Sequence, residues 1–282
     1  MEYFSVNAFY LGMLFFACLF ISNVLYSLIC LIWKIKIVEF GLFANAWFAL
    51  YKEKILGTEF ILGWLPFSSH IRPLGMSADE EDKAKIHQDD LPFAFFNKPK
   101  YLQKIFRFVP WIIYISAALI SIVILSTSSF STEVAKIANY TAEAFRTMFS
   151  DSNTARQEFV KTTKEIIDGK NVVLFAFAML VLAMLLLTPV TLIMNWFSSE
   201  DKKSKLQKTF GFATTIFILW FIVWKIPKFV FSFFPASQDF IYFFSFLIGM
   251  FATGFLCFFT TLYVVKGVSK NLSESKTQWQ KK

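Results

Sequence analysis

Two histidines, His70 and His87, are the only imidazoles in a chain of 282 residues. Zinc is the first chemistry they suggest, but a zinc site takes three or four ligands. They lie on different segments and read as ordinary surface histidines. Cys18, Cys30 and Cys257 all fall inside long uncharged runs and read as small core residues rather than disulfides or ligands. Ser22, Ser27, Ser116 and Ser121 place hydroxyls in the same kind of run. A serine nucleophile needs a base within hydrogen-bond reach, and no His or Lys lies inside a run to act as one. Conduction or proton relay meets the same objection, because ionisable side chains mark most such pathways.

The elements that would position these residues are set by where charge is missing. Only 17% of the residues are charged and 56% are hydrophobic, whereas a soluble domain carries about a quarter charged residues. No charge occurs in 3–33, 108–132, 171–199, 209–224 or 240–265. A helix needs about 20 apolar residues to cross the hydrocarbon core. Four runs reach that length, and the shorter run 209–224 has Lys208, Lys225 and Lys228 at its ends to snorkel towards the headgroups. Five transmembrane helices are therefore expected. The net charge of +8 does not point to nucleic acid, because the lysines flank the apolar runs. Basic clusters follow runs one, three and five and precede run two, while the loop 133–170 is balanced. An outside N-terminus and a cytosolic C-terminus put every basic cluster on one side. Run one is too long for a cleavable leader, and Glu2 sits where a positive n-region belongs.

Between runs one and two the pattern changes. Lys34 to Ile37 alternates with period two, and 58–64 is short, aromatic and bounded by Gly57 and Pro66. These are strand signals. Segment 34–76 is too apolar for a free loop, so it reads as a β-hairpin lying against the membrane face. A charged linker, 77–90, leads to an interfacial stretch, 91–107. In the loop 133–170, Val134, Ile137, Ala138, Ala144 and Phe145 recur at helical spacing, and Phe159, Ile166 and Ile167 resume it. Two short amphipathic helices are expected there, capping the bundle.

Three stretches carry a family resemblance: KIKIVEF from Lys34 to Phe40, GTEFILGWLPFSSHIRPLGM from Gly57 to Met76, and FNKPKYLQKIFRFVP from Phe96 to Pro110. In order and spacing they resemble the site-2 proteases, intramembrane zinc metalloproteases, over roughly 22–113, with a weaker likeness at Ser204 to Ala213. The resemblance implies a polytopic helical fold with a membrane-apposed hairpin. It also implies an H-E-x-x-H motif on helix one, whose paired histidines bind zinc while the glutamate activates water. Ser22, Asn23 and Tyr26 stand in those places. The family's third ligand, an Asp on the third core helix, has no counterpart, since 171–199 contains no Asp, Glu or His. No metal, no cofactor and no catalysis are expected.

The leading expectation is a pseudoprotease scaffold that keeps the family's way of holding an extended client by strand addition, which uses main-chain hydrogen bonds. The segment expected to bind is Thr58, Glu59, Phe60, Ile61 and Leu62, bounded by Gly57 and Gly63; a purely structural hairpin is the other reading of the same residues. A second class is a structural subunit of a larger membrane complex or transporter, based on the extra helix 240–265 with Gly249 and Gly254. An active protease with a non-standard site is the third. The expected organisation is a first membrane half, 1–128, an extracytoplasmic helical loop, 129–170, and a second membrane half, 171–232. An additional helix, 233–266, and a cytosolic tail, 267–282, complete it. The partners expected are the bilayer and a membrane-protein client or complex subunits, and the expected location is a bacterial inner membrane.

Overall fold

A computed structural model describes residues 4–45, 47–76, 86–126, 129–149, 158–159, 161–162, 171–198, 216–217, 220 and 239–280. The first apolar run forms α1, Val6–Ile32. Four strands follow: β1 (Ile37–Ala44), β2 (Tyr51–Ile55), β3 (Thr58–Leu62) and β4 (Leu65–Pro73). Two 3-10 turns, Gln88–Phe93 and Phe95–Asn97, lead into α2, Lys100–Leu125. Then come α3 (Phe130–Phe149), α4 (Val172–Ser198) and α5 (Asp239–Gln280).

Among the described residues three helical stretches are long and apolar enough to cross a membrane: Val6–Ile32, Phe108–Leu125 and Ile241–Asn271. They mark the chain as a membrane protein, mostly helical, with a small sheet after the first helix. Three such stretches are fewer than the five expected, for two reasons. The run 171–199 does form a helix, α4, but its side chains are described only as far as Leu185, and that described part, Val172–Leu185, is shorter than a crossing. The run 209–224 lies outside the described residues except at 216–217 and 220, which are helical. Most of the linker 77–90 and of the second loop helix also lies outside them.

The chain forms two compact units. One comprises Met1–Leu11 and Ile115–Phe246. Within it the expected loop helix is present as α3, which buries Ile137, Thr141 and Ala144 at intervals of three and four residues and packs on α4. The Thr141 hydroxyl lies 2.8 Å from the Ile137 carbonyl and 3.2 Å from Met179 Sδ. Asn171 caps α4, its Oδ1 accepting from the amides of Val173 and Leu174.

The other unit comprises Gly12–Tyr114 and Leu247–Lys282 and contains the whole sheet. The strand order is β2-β3-β1-β4. β3 runs antiparallel to β2 and parallel to β1, and β4 is antiparallel to β1. Leu56 and Gly57 make the two-residue turn between β2 and β3, with φ of 51° and 84°. Positive φ at both positions matches the twist of the flanking strands, and Gly57 adopts it without steric cost. The segment 34–76, expected as a hairpin, therefore forms a four-stranded mixed sheet.

This sheet does not stop at the end of α1. The Asn23 amide reaches the Gly41 carbonyl at 3.5 Å, the Ser69 hydroxyl donates to Leu19 O at 3.3 Å, and Phe43 packs on Phe16. β1 thus runs back alongside α1 for about 24 Å from Ile32, taking 1.5 Å per helical residue. At the far end Phe43 has a φ of 65° and the β1–β4 register shifts between Leu42 and Ala44. Such a bulge turns the side chain out of strict alternation. Phe43 is fully buried, edge-on to Phe16, Phe251 and Phe255.

Candidate functional site

The two faces of the sheet differ in chemistry because side chains alternate along each strand. Phe40, Phe60, Leu62 and Ile71 are buried on one face. α5 lies against that face at the edge strand, where Phe258 and Phe259 contact Tyr51 and Lys266 reaches Glu53. The other face carries a charge ladder. Lys52 Nζ is 3.0 Å from Glu59 Oε1, and Glu39 pairs at 2.8 Å with both His70 Nε2 and Arg72. The His70 ring lies directly over Gly41, where a Cβ would overlap it. Both charges and apolar groups are thus sorted along the sheet. The charged residues sit towards the Leu56–Gly57 end, while the opposite end exposes Trp47, Phe48 and Leu50, with Trp47 and Phe48 stacked on Trp64.

The segment expected to be the binding edge is not an edge. Thr58–Leu62 is β3, an interior strand paired on both sides. Phe60, Ile61 and Leu62 are buried, Glu59 is engaged by Lys52, and the Thr58 hydroxyl donates to Ile37 O at 2.9 Å. Gly57 occupies the turn. Gly63 donates its N–H to Leu42 O at 2.8 Å, and a Cβ on it would overlap the Ala44 main chain. These residues build the sheet and leave no main-chain group for a client. Their short aromatic run between Gly57 and Pro66 identified them as strand but could not reveal that β1 would pair with them in parallel.

The true edges are β2 and β4. Pro66 and Pro73 deprive β4 of two amides, and its Ser69 side chain is bonded to Leu19 O of α1. β2 is open. In a two-residue hairpin the residues flanking the turn, here Ile55 and Thr58, form a hydrogen-bonded pair, and in antiparallel ladders such pairs alternate with non-bonded ones. Ile55, Glu53 and Tyr51 therefore direct their main chain at β3, and Lys52 and Lys54 direct theirs outward. No main-chain partner for either is present among the described residues. Lys54 has no ion-pair partner there either, and its side chain is exposed.

The positions that the resemblance would assign to a zinc motif, Ser22, Asn23 and Tyr26, are engaged in packing and hydrogen bonds. Ser22 is buried and donates to Cys18 O at 2.8 Å, the helical back-bond that satisfies a hydroxyl locally. Asn23 is buried and turned to Gly41 O. Tyr26 stacks 4.2 Å from Phe106 of α2, beside the buried cluster of Cys30, Ile35 and Phe95. Ser121 back-bonds to Ala117 O in the same manner as Ser22. His70 is committed to Glu39, and His87, which caps the first 3-10 turn, lies 3.3 Å from Asp89. Among the described residues no three of His, Cys, Asp and Glu come together.

A scan against protein-family models gives no match, and no curated protein matches the chain.

Proposed function

We propose that this chain is a catalytically inactive membrane scaffold of the site-2 protease type, which holds an extended segment of a partner membrane protein against the β2 edge. The observation that carries the reading is the pair of outward-facing main-chain units at Lys52 and Lys54 on the proline-free edge strand, for which no main-chain partner is present among the described residues. Each offers one N–H and one C=O, the groups that strand addition uses. The inactive part of the reading is supported by Ser22, Asn23 and Tyr26, which stand where the family resemblance requires two zinc ligands and a base. Serine and neutral tyrosine are poor zinc ligands, and asparagine cannot take up the proton. For topology we favour five crossings of a bacterial inner membrane, with the N-terminus outside and the C-terminus cytosolic. The lysine asymmetry supports the orientation.

The reading is tested by affinity purification in mild detergent. Lys54→Pro removes only an outward amide, a position where an edge strand tolerates proline, and is expected to abolish recovery of a single-pass partner while the protein purifies normally. Ser22→Ala and Asn23→Ala should leave recovery unchanged. Ile61→Pro is unsuitable as an edge test, since it removes an amide inside the sheet and should destabilise the fold itself. Partner recovery that survives Lys54→Pro, in a stoichiometric assembly, would favour the structural-subunit reading instead.

A further inference from the structure

We infer that the β2 edge selects a partner segment with acidic residues at every second position and apolar residues between them; this rests on the strand-addition reading above. In an antiparallel pair, directly opposed residues share a face and interact. Residues opposite Lys52 and Lys54 therefore project onto the charged face. Lys54 is exposed and unpaired among the described residues, and Lys52 is 59% exposed although it touches Glu59. Two lysines at successive positions on that face call for carboxylates opposite them. The intervening residues of the incoming strand project onto the other face, towards α5. There Phe259, half-exposed, lies against Tyr51, and Tyr263 follows one turn later with 81% of its surface exposed. Apart from the Glu53–Lys266 pair opposite the central position, that side is apolar and aromatic.

Charge also excludes a second copy of this chain from the edge. Antiparallel self-pairing centred on Glu53 would set Lys52 against the Lys54 of the copy and Lys54 against its Lys52. Like charges directly opposed are destabilising, and lysine on an exposed edge is a recurrent guard against such association. An acidic strand meets no such barrier.

The experiment uses the purified full-length protein in mild detergent and two short synthetic peptides followed by fluorescence anisotropy. One peptide alternates Glu with Val and Phe, and the other has Lys in place of each Glu. The acidic peptide is expected to bind about tenfold more tightly, the preference two opposed charge pairs supply, and to weaken with salt. The double variant Lys52→Gln/Lys54→Gln should leave the two peptides equal. N-methylation of the Glu amides, which face the edge, should abolish binding, whereas N-methylation of the Val and Phe amides should not. Equal binding of both peptides, each lost on N-methylation, would overturn the charge selection and leave strand addition standing. Absence of binding by either peptide, or an acidic preference indifferent to N-methylation, would overturn both.

Discussion

At Glu53 a single carboxylate oxygen ties the edge strand to the last helix. Lys266 Nζ lies 2.7 Å from Oε2, and the Tyr51 hydroxyl donates to the same atom. The Lys266 contact, followed by the Tyr51 hydrogen bond, holds the Glu53 carboxyl below its ordinary value of 4.5, against the opposing effect of burial. The hydrogen bond to Glu53 in turn raises the Tyr51 phenol. A carboxylate whose pKa is depressed in the folded state contributes stability above its unfolded pKa, and that contribution is lost as pH falls through the folded value. Glu53→Gln should therefore lower the Tm in detergent at pH 7, modestly because the pair is exposed to solvent. The gap to the parent should close on acidification below 4.5. A gap of constant size across that range would show that the charge contributes nothing. None of this was legible in the sequence, because Glu53 and Lys266 are brought together only by the packing of the last helix on the first strands. Ser22, Asn23 and Tyr26 were singled out in the sequence only through a resemblance, and their packing against Cys18 O, Gly41 O and Phe106 was not legible there.

Among the elements, α5 and β1 meet at a point where glycine is required. A Cβ on Gly254 would overlap the Phe43 ring and approach Phe16. The sequence offered Gly249 and Gly254 as a surface for packing against another subunit, but the structure uses Gly254 inside the chain, to admit the ring that the β1 bulge delivers. Gly254→Ala should destabilise the protein by about 1–3 kcal/mol, the usual cost of overpacking. Phe43→Ala should cost about 3–5 kcal/mol through the cavity it leaves. In the Phe43→Ala background, Gly254→Ala should instead be neutral or stabilising, because alanine is the better helix former by about 1 kcal/mol. Denaturation of the four proteins in one detergent gives the coupling directly, and simple additivity would refute the contact. Of the strands, β3 was visible in the sequence as the short aromatic run between Gly57 and Pro66, whereas the alternating Lys34 to Ile37 meets β1 only at Ile37 and neither β2 nor β4 was visible as a strand. The strand order was not visible either, because a parallel β1–β3 pair joins residues separated by the whole of β2, and a bulge at Phe43 depends on a positive φ that no local signal for phenylalanine foretells.

For the whole molecule, helix directions limit how the chain can thread a membrane. Within the sheet-bearing unit, Phe43 packs on Phe16 of α1 and Phe251 of α5, while at the other end Ile35 bonds to Cys30 O and Glu53 to Lys266. Proceeding from the bulge to the charged end, both α1 and α5 are followed from N- to C-terminus, so they run parallel. α2 runs the other way, with Phe106 beside Tyr26 and the Tyr114 hydroxyl donating to Phe15 O at 3.2 Å. If α1 and α5 both span, their shared direction makes the number of crossings odd, which admits three or five and excludes four. Cysteine-accessibility labelling in intact cells separates the sides. Single cysteines placed in 80–90 and 270–282 should resist a membrane-impermeant reagent, and those in 140–165 should react, because the lysine-rich segments favour the cytosolic side and the loop 133–170 carries no net charge. The native Cys18, Cys30 and Cys257 lie within the apolar helices, the first two buried, and give a low background. Labelling of 80–90 and 270–282 from opposite sides would break the parity that the parallel α1 and α5 impose. Labelling of both from outside would keep the parity and reverse the orientation, so the two claims fail separately.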